Sequence, residues 1–142
     1  MKIKPSVILI IEDEEAHVDL IKLGFSEARV LNEIFVVTDG QEALDYLFRR
    51  GEYTDPASSP RPIMILLDLK LPKVDGHEVL RQIKEDPALA LIPTVDLTTS
   101  DREKDMQAAY KAGVNSYVIK PVKVGNMGLY WALSNEPLVI EE

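Results

Sequence analysis

Five short apolar runs recur along the chain, and the intervals between them are long enough to hold helices. The runs are VILII (7–11), IFVV (34–37), IMILL (63–67), TVDLT (94–98) and SYVI (116–119). Two of them, 7–11 and 63–67, are continuous rather than alternating, which is typical of strands covered on both faces. Strands that alternate with helices through right-handed crossovers favour a parallel sheet. The sequence therefore predicts a doubly wound α/β fold with five parallel strands and helices on both faces.

The intervals carry apolar residues at helical spacing, together with residues that begin and end helices. The residues expected to share a helical face are Val18, Ile21, Phe25 and Ala28; Ala43, Leu44, Leu47 and Phe48; Val79, Leu80 and Ile83; and Met106, Ala109 and Tyr110. An Asp or Ser placed three residues before a Glu predicts an N-cap. Such pairs are Asp39 with Glu42, Asp75 with Glu78 and Ser100 with Glu103, and Gly113 is expected to end a helix.

The composition indicates a single globular domain. The chain has 142 residues, of which 46% are hydrophobic, and this is enough for one substantial core. We expect a core over about 7–122 and a C-terminal aromatic extension over 123–142, with no output domain. The segment 51–62, which is rich in Gly, Pro and Ser, is expected to be a long surface loop.

Cysteine content, the N-terminal sequence and the net charge narrow the classes of function. The chain has no cysteine, which excludes thiol catalysis and thiolate metal sites. The first apolar run is too short for a signal peptide or a membrane span, so we expect a cytoplasmic protein with no membrane partner. A net charge of −8 argues against sequence-independent nucleic-acid binding and favours proteins as partners.

Polar residues follow four of the predicted strands at the point where each strand ends. They are Glu12 and Asp13 after the first run, Asp68 after the third, Thr98 at the end of the fourth and Lys120 after the fifth. In a doubly wound sheet, ligands bind at the carboxyl ends of the strands, so these side chains are expected to meet at one edge. Considered one at a time, each residue also has a purely structural explanation. Glu12 or Asp13 would cap a helix, Asp68 would begin a turn, Thr98 would be an ordinary strand residue and Lys120 would be a surface charge.

Taken together, the acidic residues predict a cation among them. Two carboxylates about 4 Å apart repel by about 4 kcal/mol at an effective dielectric constant of about 20. Oxygen ligands without His or Cys favour Mg²⁺, which combines one or two carboxylates with phosphate oxygens. The pattern indicates phosphoryl chemistry, in which Asp68 is the nucleophile and Lys120 neutralises charge on the transferring oxygens. The Thr98 hydroxyl is expected to bind a phosphate oxygen in the product.

Four motifs resemble the receiver domains of two-component response regulators. They are IIEDEE, ILLDLKLPKVDG, IPTVDLTTS and AGVNSYVIKPV, which match from about Val7 to Val122 in order and spacing. The resemblance implies a flavodoxin-like sheet with strand order 2-1-3-4-5. It also implies Mg²⁺ bound by Glu12, Asp13, Asp68 and the Lys70 backbone carbonyl, Asp68 as phosphoacceptor with Lys120 and Thr98 as catalytic residues, and Thr98 and Tyr117 as switch residues.

Further segments resemble the stand-alone response regulators associated with cyanobacterial and bacterial phytochromes. They are GEYTDPASSPRP, the stretch from LTTS to KPV and the tail GLYWALSNEP. The resemblance implies a phosphorelay in which a phytochrome-type histidine kinase is the phosphoryl donor. It implies no enzyme acting on other substrates, but a protein that catalyses phosphoryl transfer to and from its own aspartate. The aromatic residues Tyr130 and Trp131 of the tail have two explanations, as core residues that fill the space beside a short last helix or as an exposed interface. The second explanation predicts a homodimer.

Three alternative functions are compatible with parts of the pattern. A pseudo-receiver would act as a constitutive protein-interaction module without phosphorylation, although the intact acidic pair and acceptor argue against it. A phosphatase with an aspartyl nucleophile would usually carry an acid two residues after it, where this chain has Lys70. A flavin protein is disfavoured because the loop after the first strand is acidic and would repel the cofactor phosphate.

Three further residues lead to separate expectations. Asp96 interrupts an apolar strand and is predicted to lower stability, because burying a carboxylate is costly. His17 and His77, the two histidines of the chain, are expected to be ordinary surface residues.

Overall fold

The chain folds around one parallel sheet in a computed structural model that describes residues 7–27, 29–98 and 103–119. The five strands run in the order β2-β1-β3-β4-β5, and all four pairings are parallel. The elements in chain order are β1 Val7–Ile11, α1 Glu15–Glu27, β2 Glu33–Val37, α2 Gly40–Phe48, β3 Pro62–Asp68, α3 Gly76–Glu85, β4 Thr94–Thr98, α4 Glu103–Lys111 and β5 Ser116–Ile119. The predicted fold class and strand order are confirmed.

Helices cover both faces of the sheet, and each face has its own apolar cluster. On one face, Ile8, Ile10, Met64 and Leu66 pack with the α1 residues Val18, Ile21 and Phe25. On the other face, Leu9, Ile11, Ile65 and Leu67 pack with residues of α2, α3 and α4. Side chains alternate between the two faces along a strand, and both faces are covered. Every residue of β1 is therefore buried, which explains its unbroken apolar run.

Most residues of the predicted helical faces are buried, Phe48 and Met106 are partly buried against the core, and Tyr110 is exposed. Tyr110 is 48% exposed, so its assignment to the packed face of α4 was wrong. Its neighbour Ala109 is buried and Met106 packs against the same cluster. One residue further along a helix lies about 100° around the axis, which carries Tyr110 off this narrow stripe. Ala28 lies outside the described residues.

The predicted helix boundaries are correct where the structure describes them. Asp39 accepts a hydrogen bond from the Glu42 backbone N–H at 2.7 Å, as an N-cap does. Asp75 caps α3 through the His77 N–H at 2.7 Å. Gly113 follows α4 with a φ of 109°, a left-handed conformation that suits glycine after a helix. Ser100 lies outside the described residues.

The segment 51–62 begins with a 3₁₀ helix at Gly51–Tyr53 and packs back onto α2. The Tyr46 hydroxyl donates to the Pro60 carbonyl at 2.6 Å, and Arg61 Nη1 donates to the Leu47 carbonyl at 2.5 Å. Ser59 is buried, and its hydroxyl donates to the Tyr53 carbonyl. The segment is therefore a loop held by hydrogen bonds. Among the helices of the described ranges, none has the length and hydropathy needed to span a membrane.

Candidate functional site

The register of β1 and β3 brings two acidic side chains to the same end of the sheet. Ile10 pairs with Leu66 and Ile11 pairs with Leu67. One step further along the register, Glu12 lies beside Asp68. Both residues continue the alternation that directs Ile10 and Leu66 towards the α1 side, so their side chains share a face at the sheet edge.

Three carboxylates meet at this edge. One oxygen each of Glu12, Asp13 and Asp68 lies within 4.8 Å of the others. Glu12 is fully buried and Asp68 is 7% exposed, whereas Asp13 is exposed. At such separations each pair of charges repels by about 3 to 4 kcal/mol at an effective dielectric constant of about 20. An all-oxygen, acidic donor set of this kind fits a hard divalent cation such as Mg²⁺.

The backbone after β3 holds Asp68 in place. The Lys70 N–H donates to Asp68 Oδ1 at 2.8 Å, which orients the carboxylate. The Gly76 N–H, at the start of α3, donates to the Leu69 carbonyl at 3.2 Å. A Cβ atom on Gly76 would lie 2.5 Å from the Asp68 carbonyl oxygen and 2.4 Å from Leu69 Cα. Only glycine therefore allows α3 to approach the strand end so closely.

A second contact anchors the same loop to α2. The Gly40 N–H donates to the Pro72 carbonyl at 3.2 Å. A Cβ atom on Gly40 would lie 1.8 Å from the Val74 carbonyl oxygen, so the two backbones are in direct contact. The loop that carries Lys70 is thus closed by the bond between Leu69 and Gly76 and anchored to α2 at Pro72.

Glu12 is held by the end of β2 and by residues of the turn and helix that follow it. Its N–H donates to the Val37 carbonyl at 3.1 Å, and its Oε1 accepts from the Glu14 N–H at 3.2 Å. His17 Nδ1 lies 3.4 Å from the same oxygen. The expectation that His17 is an ordinary surface residue was therefore wrong, whereas His77 is exposed as expected. The available signal was the spacing, since His17 follows Glu14 by one helical turn.

The remaining predicted site residues are described only in part. Thr98 ends β4 and Tyr117 lies in β5, where it pairs in register with Asp96. The strand ends carrying Thr98 and Asp68 are therefore neighbours in the sheet. Lys120 lies outside the described residues, and the roles of Thr98, Tyr117 and Lys120 stay predictions.

The chain matches the response regulator receiver domain family over residues 8–129. It belongs to this family, whose members are the receivers of two-component systems. The order of strands and the acidic edge described above agree with this membership.

Two curated relatives match most of the chain. The "Probable methanogenesis regulatory protein FilR2" of Methanothrix harundinacea is 49% identical over 118 residues, covering 83% of this chain and 74% of the relative. "Response regulator Rcp1" of Synechocystis is 45% identical over 116 residues, covering 82% of this chain and 77% of the relative.

Solved structures of cyanobacterial regulators share the fold. The Mn²⁺-bound form of Rcp1 has a TM-score of 0.76 and 37% identity, with 97% of this chain and 100% of that chain covered. The phosphorylated cyanobacterial phytochrome response regulator RcpA has a TM-score of 0.78 and 39% identity, with 94% and 98% covered. The chain is thus similar to phytochrome response regulators, as its sequence motifs predicted.

Proposed function

We propose that this receiver accepts a phosphoryl group on Asp68 from a histidine kinase in a Mg²⁺-dependent reaction. The observation that carries the proposal is the meeting of Glu12, Asp13 and Asp68 at one sheet edge, with oxygens within 4.8 Å of one another. The metal ligands would be these three carboxylates and the Lys70 backbone carbonyl. Bound Mg²⁺ would neutralise the carboxylates and the charge of the phosphoryl oxygens.

The chain's own residues account for the nucleophile and its orientation. An Asp68 oxygen forms the new O–P bond while the P–N bond of the donor phosphohistidine breaks, so the phosphoryl group passes to the carboxylate. The Lys70 N–H holds Oδ1 of Asp68 and so limits the directions from which the other oxygen can attack. Lys120 and Thr98 are proposed to bind the transferred phosphoryl oxygens, and Thr98 and Tyr117 to transmit the change. Hydrolysis of the product by the same site would make the signal transient.

Labelling with a small-molecule donor tests this proposal. The protein is incubated with acetyl phosphate and Mg²⁺, and the phosphoryl group is located by mass spectrometry. Asp68→Asn and removal of Mg²⁺ by chelation are expected to abolish labelling, because each removes a required group. Asp19→Asn, which changes an exposed α1 carboxylate, is the matched control and should label normally. Wild-type protein that stays unlabelled would support a pseudo-receiver, and label that persists in Asp68→Asn would remove Asp68 as acceptor.

The kinase partner is proposed to be of the phytochrome type. This rests on the similarity to Rcp1 and to RcpA, the latter described as a phytochrome response regulator. FilR2 is about as similar to this chain as Rcp1 is, and it is described as a probable methanogenesis regulatory protein. Relatives at this level of identity therefore carry different functional descriptions. Transfer from a radiolabelled phytochrome-type kinase should be faster than transfer from an unrelated histidine kinase. Equal rates would leave the receiver function intact and reject the phytochrome assignment.

Self-association is proposed through the C-terminal aromatic segment. Tyr130 and Trp131, which lie outside the described residues, supply the kind of aromatic surface favoured at interface centres. Sedimentation of wild type and of a Tyr130→Ala, Trp131→Ala double variant tests this. A wild-type dimer that becomes a folded monomer in the double variant supports the interface, and a wild type that stays monomeric rejects it.

The proposed setting is the cytoplasm, with protein partners only. The net charge of −8 disfavours attraction to DNA phosphates and to anionic lipids. Absence of binding to non-specific duplex DNA and to anionic vesicles at low salt is the expected result, because electrostatic attraction is strongest there.

A further inference from the structure

His17 lies between two carboxylates at the start of α1. Its Nδ1 is 3.4 Å from Glu12 Oε1 and 3.4 Å from Glu14 Oε2. The His17 side chain is 22% exposed and that of Glu12 is fully buried. The imidazole therefore covers the helix side of a carboxylate that is also part of the acidic site.

The two carboxylates determine which ring nitrogen of His17 carries the proton. An ionised carboxylate has no hydrogen to donate, so Nδ1 must carry the proton if it bonds to Glu12 or Glu14. The 3.4 Å between Nδ1 and Glu12 Oε1 is at the long end for an N–H···O bond, while Glu14 Oε2 lies at the same distance as an ion-pair contact. Glu12 Oε1 also accepts the Glu14 N–H at 3.2 Å. Two donors on one oxygen restrict rotation of the Glu12 carboxylate plane.

We propose that His17 is a positioning residue for metal binding, which acts by holding the Glu12 carboxylate in the orientation that the ion requires. This inference rests on the proposed Mg²⁺ site of Glu12, Asp13 and Asp68. Groups that hydrogen-bond to metal ligands orient them, and losing such a partner typically lowers metal affinity by about 10-fold to 100-fold. Because His17 is partly exposed, we expect a loss near the lower end of this range.

Two other roles for His17 make different predictions. If His17 only contributed positive charge, its removal would tighten Mg²⁺ binding, because a cation near the site repels the metal. If it only stabilised the start of α1, its removal would lower the free energy of unfolding and leave the metal affinity of the folded protein unchanged. Metal affinity and unfolding must therefore be measured on the same variants.

The experiment compares four variants with wild type. His17→Ala removes the donor. His17→Asn keeps an N–H donor near the position of Nδ1, whereas His17→Gln places one near the position of Nε2. His77→Ala is the matched control, because His77 is the other histidine of the chain and is exposed in the first turn of α3. Mg²⁺ binding is measured by calorimetry and Mn²⁺ binding by electron paramagnetic resonance, without any phosphoryl donor.

The expected result is a weakening of about 10-fold in His17→Ala and His17→Gln, with His17→Asn and His77→Ala close to wild type. Loss in His17→Ala of less than about threefold, tighter binding, or equal loss in His17→Asn and His17→Gln overturns the inference. A wild type that binds neither ion would reject the Mg²⁺ site itself. If wild type and His17→Ala bind equally, the proposed function stands and only the positioning role fails. Urea unfolding of each variant confirms that the proteins compared are folded.

Discussion

Lys73 Nζ lies 3.3 Å from Asp39 Oδ2, and this ion pair joins the loop after Asp68 to the start of α2. Lys73 has a φ of 65°, a left-handed conformation that is unfavourable for a residue with a Cβ atom. The neighbouring Gly40 N–H to Pro72 carbonyl bond holds the same part of the loop. Asp39 thus has two tasks, since it also caps α2 through the Glu42 N–H.

Asp39→Ala is expected to lower the free energy of unfolding by about 1 kcal/mol near neutral pH, because it removes the N-cap. Asp39→Asn should lose less, since an amide oxygen still accepts the Glu42 N–H. Urea unfolding at a series of pH values measures both. A cost in Asp39→Asn equal to that in Asp39→Ala would show that capping is not the main contribution.

The pH dependence separates the charge of Asp39 from its capping role. The Glu42 N–H bond, supported by Lys73, holds the pKa of Asp39 below its ordinary value. A lowered folded pKa stabilises the native state above the unfolded pKa near 3.9, and this stability is lost as pH falls through the folded value. The advantage of wild type over Asp39→Asn should therefore shrink below about pH 4. A difference that is constant across this window would contradict the charge contribution.

Gly76→Ala is expected to destabilise the protein by about 1 to 3 kcal/mol, because its Cβ would overlap the backbone of Asp68 and Leu69. Since the overlap includes the Asp68 carbonyl, Mg²⁺ affinity should fall as well. Gly24→Ala is the matched control. Gly24 lies within α1 with nothing within 4 Å of an added Cβ, so alanine there should stabilise by about 1 kcal/mol. Thermal unfolding and calorimetry of both variants provide the test, and a neutral Gly76→Ala would contradict it.

The fold and the acidic edge could be predicted because they follow from regular backbone geometry. Alternation of apolar runs with helical periodicity indicates a parallel sheet, and parallel strands end at a common edge. Glu12 and Asp68 continue the alternation of two strands in register, so their proximity follows once that register is known. Predicting that these two carboxylates are neighbours therefore required no knowledge of loop conformation.

Contacts that depend on the path of a loop or on a side-chain rotamer could not be predicted in the same way. The left-handed φ of Lys73 is unexpected for a lysine, and the path of this loop determines the Asp39 contact. The His17 to Glu12 contact depends on side-chain torsions at the start of α1. Tyr110 was misplaced because a short helix with a narrow apolar stripe gives little warning of where the stripe ends.

Asp96 is 1% exposed, so its predicted burial is confirmed, while its predicted effect on stability stays a prediction. Taking a carboxylate out of water costs free energy, which the contacts of that carboxylate within the protein must offset. Valine has no such cost and is well suited to a strand in the interior of the sheet. We expect Asp96→Val to raise the free energy of urea unfolding by about 1 kcal/mol or more. A less stable Asp96→Val would show that the partners of this carboxylate outweigh its burial cost.

Tyr46 anchors the loop before β3 from within the core. It is 1% exposed, its hydroxyl donates to the Pro60 carbonyl at 2.6 Å, and its ring centroid lies 5.3 Å from that of Tyr53. Burial raises the pKa of Tyr46 to about 12. The folded state therefore holds the phenol proton more tightly than the unfolded state, whose tyrosine pKa is about 10.

Tyr46→Phe is expected to cost about 1 kcal/mol of unfolding free energy near neutral pH, because the Pro60 carbonyl loses its donor while the ring packing remains. Since the folded pKa is raised, stability due to Tyr46 is complete below about pH 10 and is lost as pH rises through about 12. The advantage of wild type over Tyr46→Phe should thus be constant at neutral pH and shrink above about pH 10. A Tyr46→Phe variant as stable as wild type at neutral pH, or a Tyr46 advantage that grows at alkaline pH, would contradict the assignment of this hydrogen bond.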